Sequence, residues 1–174
     1  MSDHVVAFLR GMNTGAKNRF PMADLRAALA DAGFLEPRTL LASGNVVVEA
    51  PAEAEAIERV IADAFGLRIP VITRTGAELA AVLASSPFTD VATDGAKHFV
   101  AFSAAPIDSG AVSARLEATD WGAERWAVRG RETYLWLPDG IGRSPLGAAL
   151  ASSSGPQVTV RNFNTVARLV TMAT

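Results

Sequence analysis

The chain has 174 residues, 49% of them apolar, and a formal net charge of −2. That length suits one domain or two tightly packed halves with a sizeable core, and the charge excludes a surface that coats nucleic acid or an anionic membrane as a whole. The absence of Cys excludes disulfides, thiolate metal sites and Cys nucleophiles. Nothing near Met1-Ser2-Asp3-His4 reads as a secretory leader, and no apolar run approaches the roughly 20 residues that span a bilayer, so a cytoplasmic protein with no membrane partner is expected.

In chain order, Val5–Leu9 is an unbroken apolar run and reads as a buried strand. A Gly/Asn loop follows, then Pro21, which suits the first turn of a helix. Met22, Leu25, Leu29 and Ala32 recur at helical spacing until Gly33. Arg38–Ala42 and Val46–Glu49 read as strands of a hairpin around Ser43-Gly44-Asn45, because Gly and Asn tolerate positive φ. Glu53–Phe65 carries Ile57, Val60, Ile61, Ala64 and Phe65 on one helical face and closes at Gly66. Arg68–Arg74 reads as a strand that Pro70 directs to a sheet edge.

The order β-α-β-β-α-β predicts a ferredoxin-like sheet, antiparallel with two helices on one face. The second half is predicted to be a degraded second copy. Thr75–Ala84 is read as a helix, Lys97–Ser103 as a strand and Ala111–Thr119 as a helix. Arg125–Val128 and Thr133–Leu137 are strands about Gly130, Leu146–Ala151 is a short helix, Val158–Val160 a last strand and Asn164–Met172 a last helix. The fold class expected is therefore α+β, two ferredoxin-like halves packed together, residues 1–84 and 85–174, with the boundary in the Ser85–Gly95 stretch. Val5–Leu9, Val46–Val48 and Phe99–Phe102 do not alternate apolar with polar, so both faces of these strands should be buried, most simply by the other half.

Four short segments rich in Gly, Asn, Ser and Arg interrupt this pattern: Arg10–Asn18, Ser43–Asn45, Asp139–Ser144 and Thr159–Thr165. They supply hydrogen-bond donors and cations with almost no carboxylate, His or Cys, which suits holding an anion and suits acid–base or metal chemistry poorly. Arg10–Asn18 joins a strand to a helix, where backbone N–H groups and the helix end favour negative charge. It has neither the phosphate-loop nor the dinucleotide glycine spacing. Turn geometry explains its Gly and Asn residues equally well, and explains Ser43-Gly44-Asn45 better than a site does. By topology these two segments should be neighbours. Ser144 reads as a helix N-cap with Pro145 in the first turn, and Asn162 or Asn164 as the cap of the last helix.

These four segments, in this order, resemble a bacterial family of small α/β proteins of unknown function. Its members are similar to Leu-Leu-Arg-Gly-Ile-Asn-Val-Gly-Gly-Lys-Asn near the start, then Ser-Gly-Asn-Val-Val, Asp-Gly-Ile-Gly-Arg-Ser-Lys-Leu and Thr-x-Arg-Asn-Trp-Asn-Thr. The chain departs from those patterns at Met12, Thr14, Ala16, Pro145 and Phe163. The resemblance implies two ferredoxin-like subdomains and no particular activity.

The reading that follows is a binder of a phosphorylated ligand, a nucleotide or a nucleic-acid phosphate. Its expected residues are Arg10, Asn13, Lys17, Asn18, Asn45, Arg143, Arg161, Asn162 and Asn164, with Arg161 reaching the Arg10–Asn18 loop. No cofactor or metal is expected. The alternatives are an enzyme acting on a phosphorylated substrate, with Asp139 or Lys17 as the only proton carriers inside a motif, and a structural protein whose motifs are turn chemistry alone. Trp121, Trp126, Trp136 and Tyr134 read as core or half-buried strand residues rather than base-stacking platforms. Glu53, Glu55, Glu58 and Arg59 read as a solvated helix face, with Glu55 and Arg59 at favourable spacing.

Overall fold

The computed structural model describes residues 3–12, 18–151 and 157–174. The chain divides into two compact units, Met1–Ala81 with Arg168–Thr174, and Val82–Ala167. The last turns of the chain thus belong to the first unit. Among the described residues no helix is long and apolar enough to cross a membrane.

The first unit runs β1 (His4–Leu9), α1 (Met22–Asp31), β2 (Arg38–Leu40), β3 (Asn45–Glu49), α2 (Ala54–Phe65) and β4 (Val71–Thr75), and α3 (Gly76–Ala84) follows directly. The sheet order is β2-β3-β1-β4, with every neighbouring pair antiparallel. Val5, Ala7 and Leu9 point to the face where Leu25 and Leu29 of α1 and Ile57 and Ile61 of α2 complete a core. Val6 and Phe8 point the other way and are also fully buried, as the unbroken apolar run predicted. β4 is an edge strand, and Pro70 stands just before it.

The second unit repeats the plan. It runs β5 (His98–Ser103), α4 (Ser109–Leu116), β6 (Arg125–Arg129), β7 (Glu132–Trp136), α5 (Pro145–Ala151) and β8 (Val158–Asn162), and α6 (Phe163–Ala173) follows without a break. Its sheet order, β6-β7-β5-β8, is that of the first sheet with each strand replaced by its counterpart. Phe99 and Leu135 pack with Val112 and Leu116 of α4 and Leu146 and Leu150 of α5. The fold is α+β, as expected, and the second copy keeps the whole topology.

The register shows an identity between the halves that reading the segments separately missed. β1 reads His4-Val5-Val6-Ala7-Phe8 and β5 reads His98-Phe99-Val100-Ala101-Phe102. Val6 lies between Val47 and Arg74, and Val100 lies between Tyr134 and Arg161. Arg74 and Arg161 are therefore counterparts. Each donates from Nη1 to the carbonyl of the residue before it, Thr73 and Val160, at 2.8 Å.

Two strand limits differ from expectation for local reasons. β2 stops at Leu40 because Leu41 adopts φ 61° and turns out to solvent. β8 extends to Asn162, so Arg161 is a strand residue and not part of a turn.

Phe8 has no exposed surface. Phe8→Ala should destabilise the protein by about 3–5 kcal/mol, read as a lowered midpoint in urea denaturation with the far-UV spectrum retained.

Candidate functional site

The four motifs come together in two pairs, each within one unit. In the first sheet β1 and β2 run in the same direction with β3 between them, so the segments that follow both strands emerge at one end. Leu9 N–H donates to the Gly44 carbonyl at 2.8 Å, and Arg10 N–H to the Pro70 carbonyl at 2.9 Å. The expected neighbourhood of the first two motifs is thus present, with the start of β4 added to it.

Gly44 is where the two motifs touch. Its φ is 81°, and a Cβ there would stand 2.8 Å from both Leu9 Cβ and Met12 Cγ. Asn45, expected to face a ligand, begins β3 with no exposed surface. It donates from Nδ2 to the Leu40 carbonyl at 2.8 Å and to Ser43 Oγ at 3.1 Å, and so braces the turn. Arg10 is half-buried. Asn18, at φ 58°, brings its side-chain amide near Gly11. Phe20 then returns to the core and stacks on Phe65, ring centroids 4.0 Å apart. Asn13 and Lys17 lie outside the described residues.

In the second sheet the end of β7, the end of β8 and the start of β5 share one end, as the pairs His98–Trp136 and Phe99–Asn162 show. The third and fourth motifs therefore lie at the same end of the sheet, and structural contacts take up many of their polar groups. Ser144 Oγ accepts from Gly147 N–H at 2.7 Å, the predicted N-cap, and Glu124 Oε2 accepts from Leu146 N–H at 3.1 Å. A carboxylate of the chain already occupies the start of α5. Asn162 Oδ1 accepts from Thr165 N–H at 2.8 Å and caps α6. Arg143 and Asp139 are exposed on the connection into the Ile141–Arg143 turn, and exposed Asn164 packs against Gly95.

Arg161 turns to the buried side of β8 and also donates from Nη1 to Thr159 Oγ1 at 2.9 Å. Burial brings its pKa down to about 10, which leaves it a cation at neutral pH. Phe163 stacks on His98, centroids 3.5 Å apart. His98 Nε2 lies 3.2 Å from Ser86 Oγ, which accepts from Phe88 N–H, and burial keeps the ring neutral near pH 7. Tyr134 donates its O–H to the Val82 carbonyl at 2.9 Å. Its pKa is pushed up to about 12, first by burial, then by the Glu132 carboxylate, against an opposing Arg129.

Sequence reasoning missed two groups. Arg74, 2% exposed, lay inside a strand that was read only for its Pro; its signal was the string shared by β1 and β5, which places Arg74 and Arg161 in equivalent positions. The face of α2 that carries Glu55, Glu58 and Arg59 was read as solvated, yet with Arg68, Ile69 and Pro70 it borders a cavity of about 380 Å³. Glu58 Oε1 accepts from Val71 N–H at 2.8 Å and ties that helix to the edge strand.

The architecture is that of a protein built from two βαββαβ units. The chain belongs to the family described as protein of unknown function (DUF1697), whose model matches residues 1–134. It is similar in structure to the conserved bacterial protein SP0830 from Streptococcus pneumoniae, with 19% identity and a TM-score of 0.78 over 100% of both chains, a likeness that speaks to fold alone. No curated protein matches it.

Two predictions come from this geometry. Gly44→Ala combines a left-handed φ with two close contacts, so it should cost about 1–3 kcal/mol, measured by denaturation. Burial lowers the His98 pKa from 6.5 to about 4. Below pH 6.5 the unfolded chain takes up a proton that the folded chain refuses until about pH 4. The contribution is thus fully present above pH 6.5 and is lost as pH falls through that window, by about 3 kcal/mol. His98→Gln should flatten that part of the stability profile between pH 7 and 4 relative to the parent protein.

Proposed function

We propose that this protein binds a phosphorylated small molecule at the end of the first sheet, with Arg10 as the principal cation. The observation that carries this reading is the way the Arg10 segment is held. Its backbone is tied on one side to Gly44 and on the other to Pro70, Met12 is buried on the core, and beyond the loop Phe20 is fixed on Phe65. A connecting segment anchored where it leaves a rigid sheet is how folds present binding groups.

The helix ends support the same choice. α3, α4, α5 and α6 all begin with a side chain accepting from the first turn: Thr75, Asp108, Ser144 with Glu124, and Asn162. α1, which follows this loop, starts at Pro21 with no side-chain cap, as α2 does at Glu53. Asp24 in its first turn offsets part of that helix-end charge, so the guanidinium of Arg10 supplies most of the attraction. Asn18 adds an amide donor beside Gly11.

The test is denaturation with and without a phosphomonoester. At about 100 times its dissociation constant the ligand should raise stability by roughly 2.7 kcal/mol, and added salt should weaken binding. Arg10→Gln should lose that gain. An unchanged gain in Arg10→Gln, or no response of the parent protein to any of a panel of phosphomonoesters and inorganic phosphate, overturns the reading.

A further inference from the structure

The cavity between α2 and the segment leading into β4 lies at the same end of the first sheet as Arg10, and Pro70 belongs to both: it borders the cavity and its carbonyl accepts from Arg10 N–H. Phe65, the last residue of α2, is the partner on which Phe20 stacks after the loop. A volume of about 380 Å³ lies within the range of small-ligand sites. Its floor is apolar, with Ile69 2% exposed, and its rim carries Glu55, Glu58, Arg59 and Arg68.

These charges are not equivalent. Glu58 is committed to Val71 N–H, which leaves the exposed Glu55 as the carboxylate that meets a ligand. Arg59 and Arg68 bring two guanidinium groups, whose flat forks match phosphate oxygens. Two cations and two carboxylates, one of them anchored through Oε1 to the edge strand, around an apolar floor do not suit a bare anion. They suit a compact molecule with an anionic group at one end and an amine at the other.

We infer that this cavity takes the body of the ligand, and that the ligand class is a phosphomonoester bearing an amino group, its phosphate toward Arg10 and Arg68 and its ammonium against Glu55. The inference rests on the anion-binding reading above and adds the second recognition element. The carboxylate is the selective part: it attracts an ammonium and repels a second phosphate, so it discriminates against polyphosphorylated ligands of similar size.

Titration calorimetry with inorganic phosphate, glucose 6-phosphate and glucosamine 6-phosphate tests it, since the last two differ only in the amine. Glucosamine 6-phosphate should bind about tenfold more tightly than glucose 6-phosphate, the worth of one charge-assisted hydrogen bond. Glu55→Gln should erase that difference while inorganic phosphate binds as before, and Arg10→Gln should weaken all three. If the two sugar phosphates bind alike, or if Glu55→Gln keeps the preference, the inference is overturned while Arg10-dependent phosphate binding stands. If none of the three binds, the anion reading and the inference fall together.

Discussion

A strand paired on both edges and buried on both faces is the constraint on which each unit depends. β1 lies between β3 and β4, and β5 between β7 and β8, so each central strand is paired along both edges, and all its side chains but that of His4 are buried. Side chains there must be apolar, or must carry their own hydrogen-bond solution. Most of the buried polar groups around these strands follow that rule, His4 Nδ1 at the start of β1 being enclosed without a partner. Arg74 and Arg161 donate to carbonyls of their own strands, Tyr134 donates to Val82, and His98 sits neutral between Ser86 and Phe163. The arginines are tolerated because a guanidinium has five donors and the neighbouring carbonyls lie within its reach.

The same constraint explains why the repeat survives at some positions and vanishes at others. His, Val, Ala and Phe recur at matching register in β1 and β5, where the environment on both faces leaves little choice. The end of each edge strand recurs as well: a buried Arg, then a residue that caps the next helix, Thr75 in one case and Asn162 in the other. Between these fixed points the turns differ. Ser43-Gly44 packs against Leu9 and Met12, whereas a Cβ at Gly130 would meet only the tip of Glu132 at 3.9 Å. A position that only glycine fits in one half is merely a turn in the other, so the two loops at these places need not share a role.

Much of the architecture was legible in the sequence. Helical periodicity, Pro21 and the left-handed cap at Gly66 set the helices, and unbroken apolar runs marked the central strands. The adjacency of the first two motifs followed from topology alone. What was not legible was which polar side chains turn inward. Asn45 has the composition of an exposed turn residue, yet its amide is enclosed because Leu41 takes the positive φ and carries the turn one residue earlier. Arg161 stood beside residues that cap a helix, and extending the strand by two positions moved it from turn to sheet face. Glu55 and Arg59 are exposed, as periodicity indicated, but periodicity reports only which side of a helix meets the core; it says nothing of a neighbouring segment such as Arg68–Pro70 making the polar side one wall of a cavity.

Subtracting the contacts that the fold itself requires leaves an uneven remainder. The second motif spends Asn45 and Gly44 on a brace. The third spends Ser144 on a cap and meets a carboxylate from Glu124 at the very helix start that an anion would need. The fourth spends Asn162 on a cap, Phe163 on a stack and Arg161 on its own strand. A motif whose polar groups are consumed by local geometry needs no ligand to account for its composition. At the end of β1 the bonds from Leu9 N–H to the Gly44 carbonyl and from Arg10 N–H to the Pro70 carbonyl use backbone groups and fix where the segment lies. The proposed anion site therefore rests on where the segment lies, beside a cavity whose wall accepts one of those bonds, and on the cation that the sequence puts there.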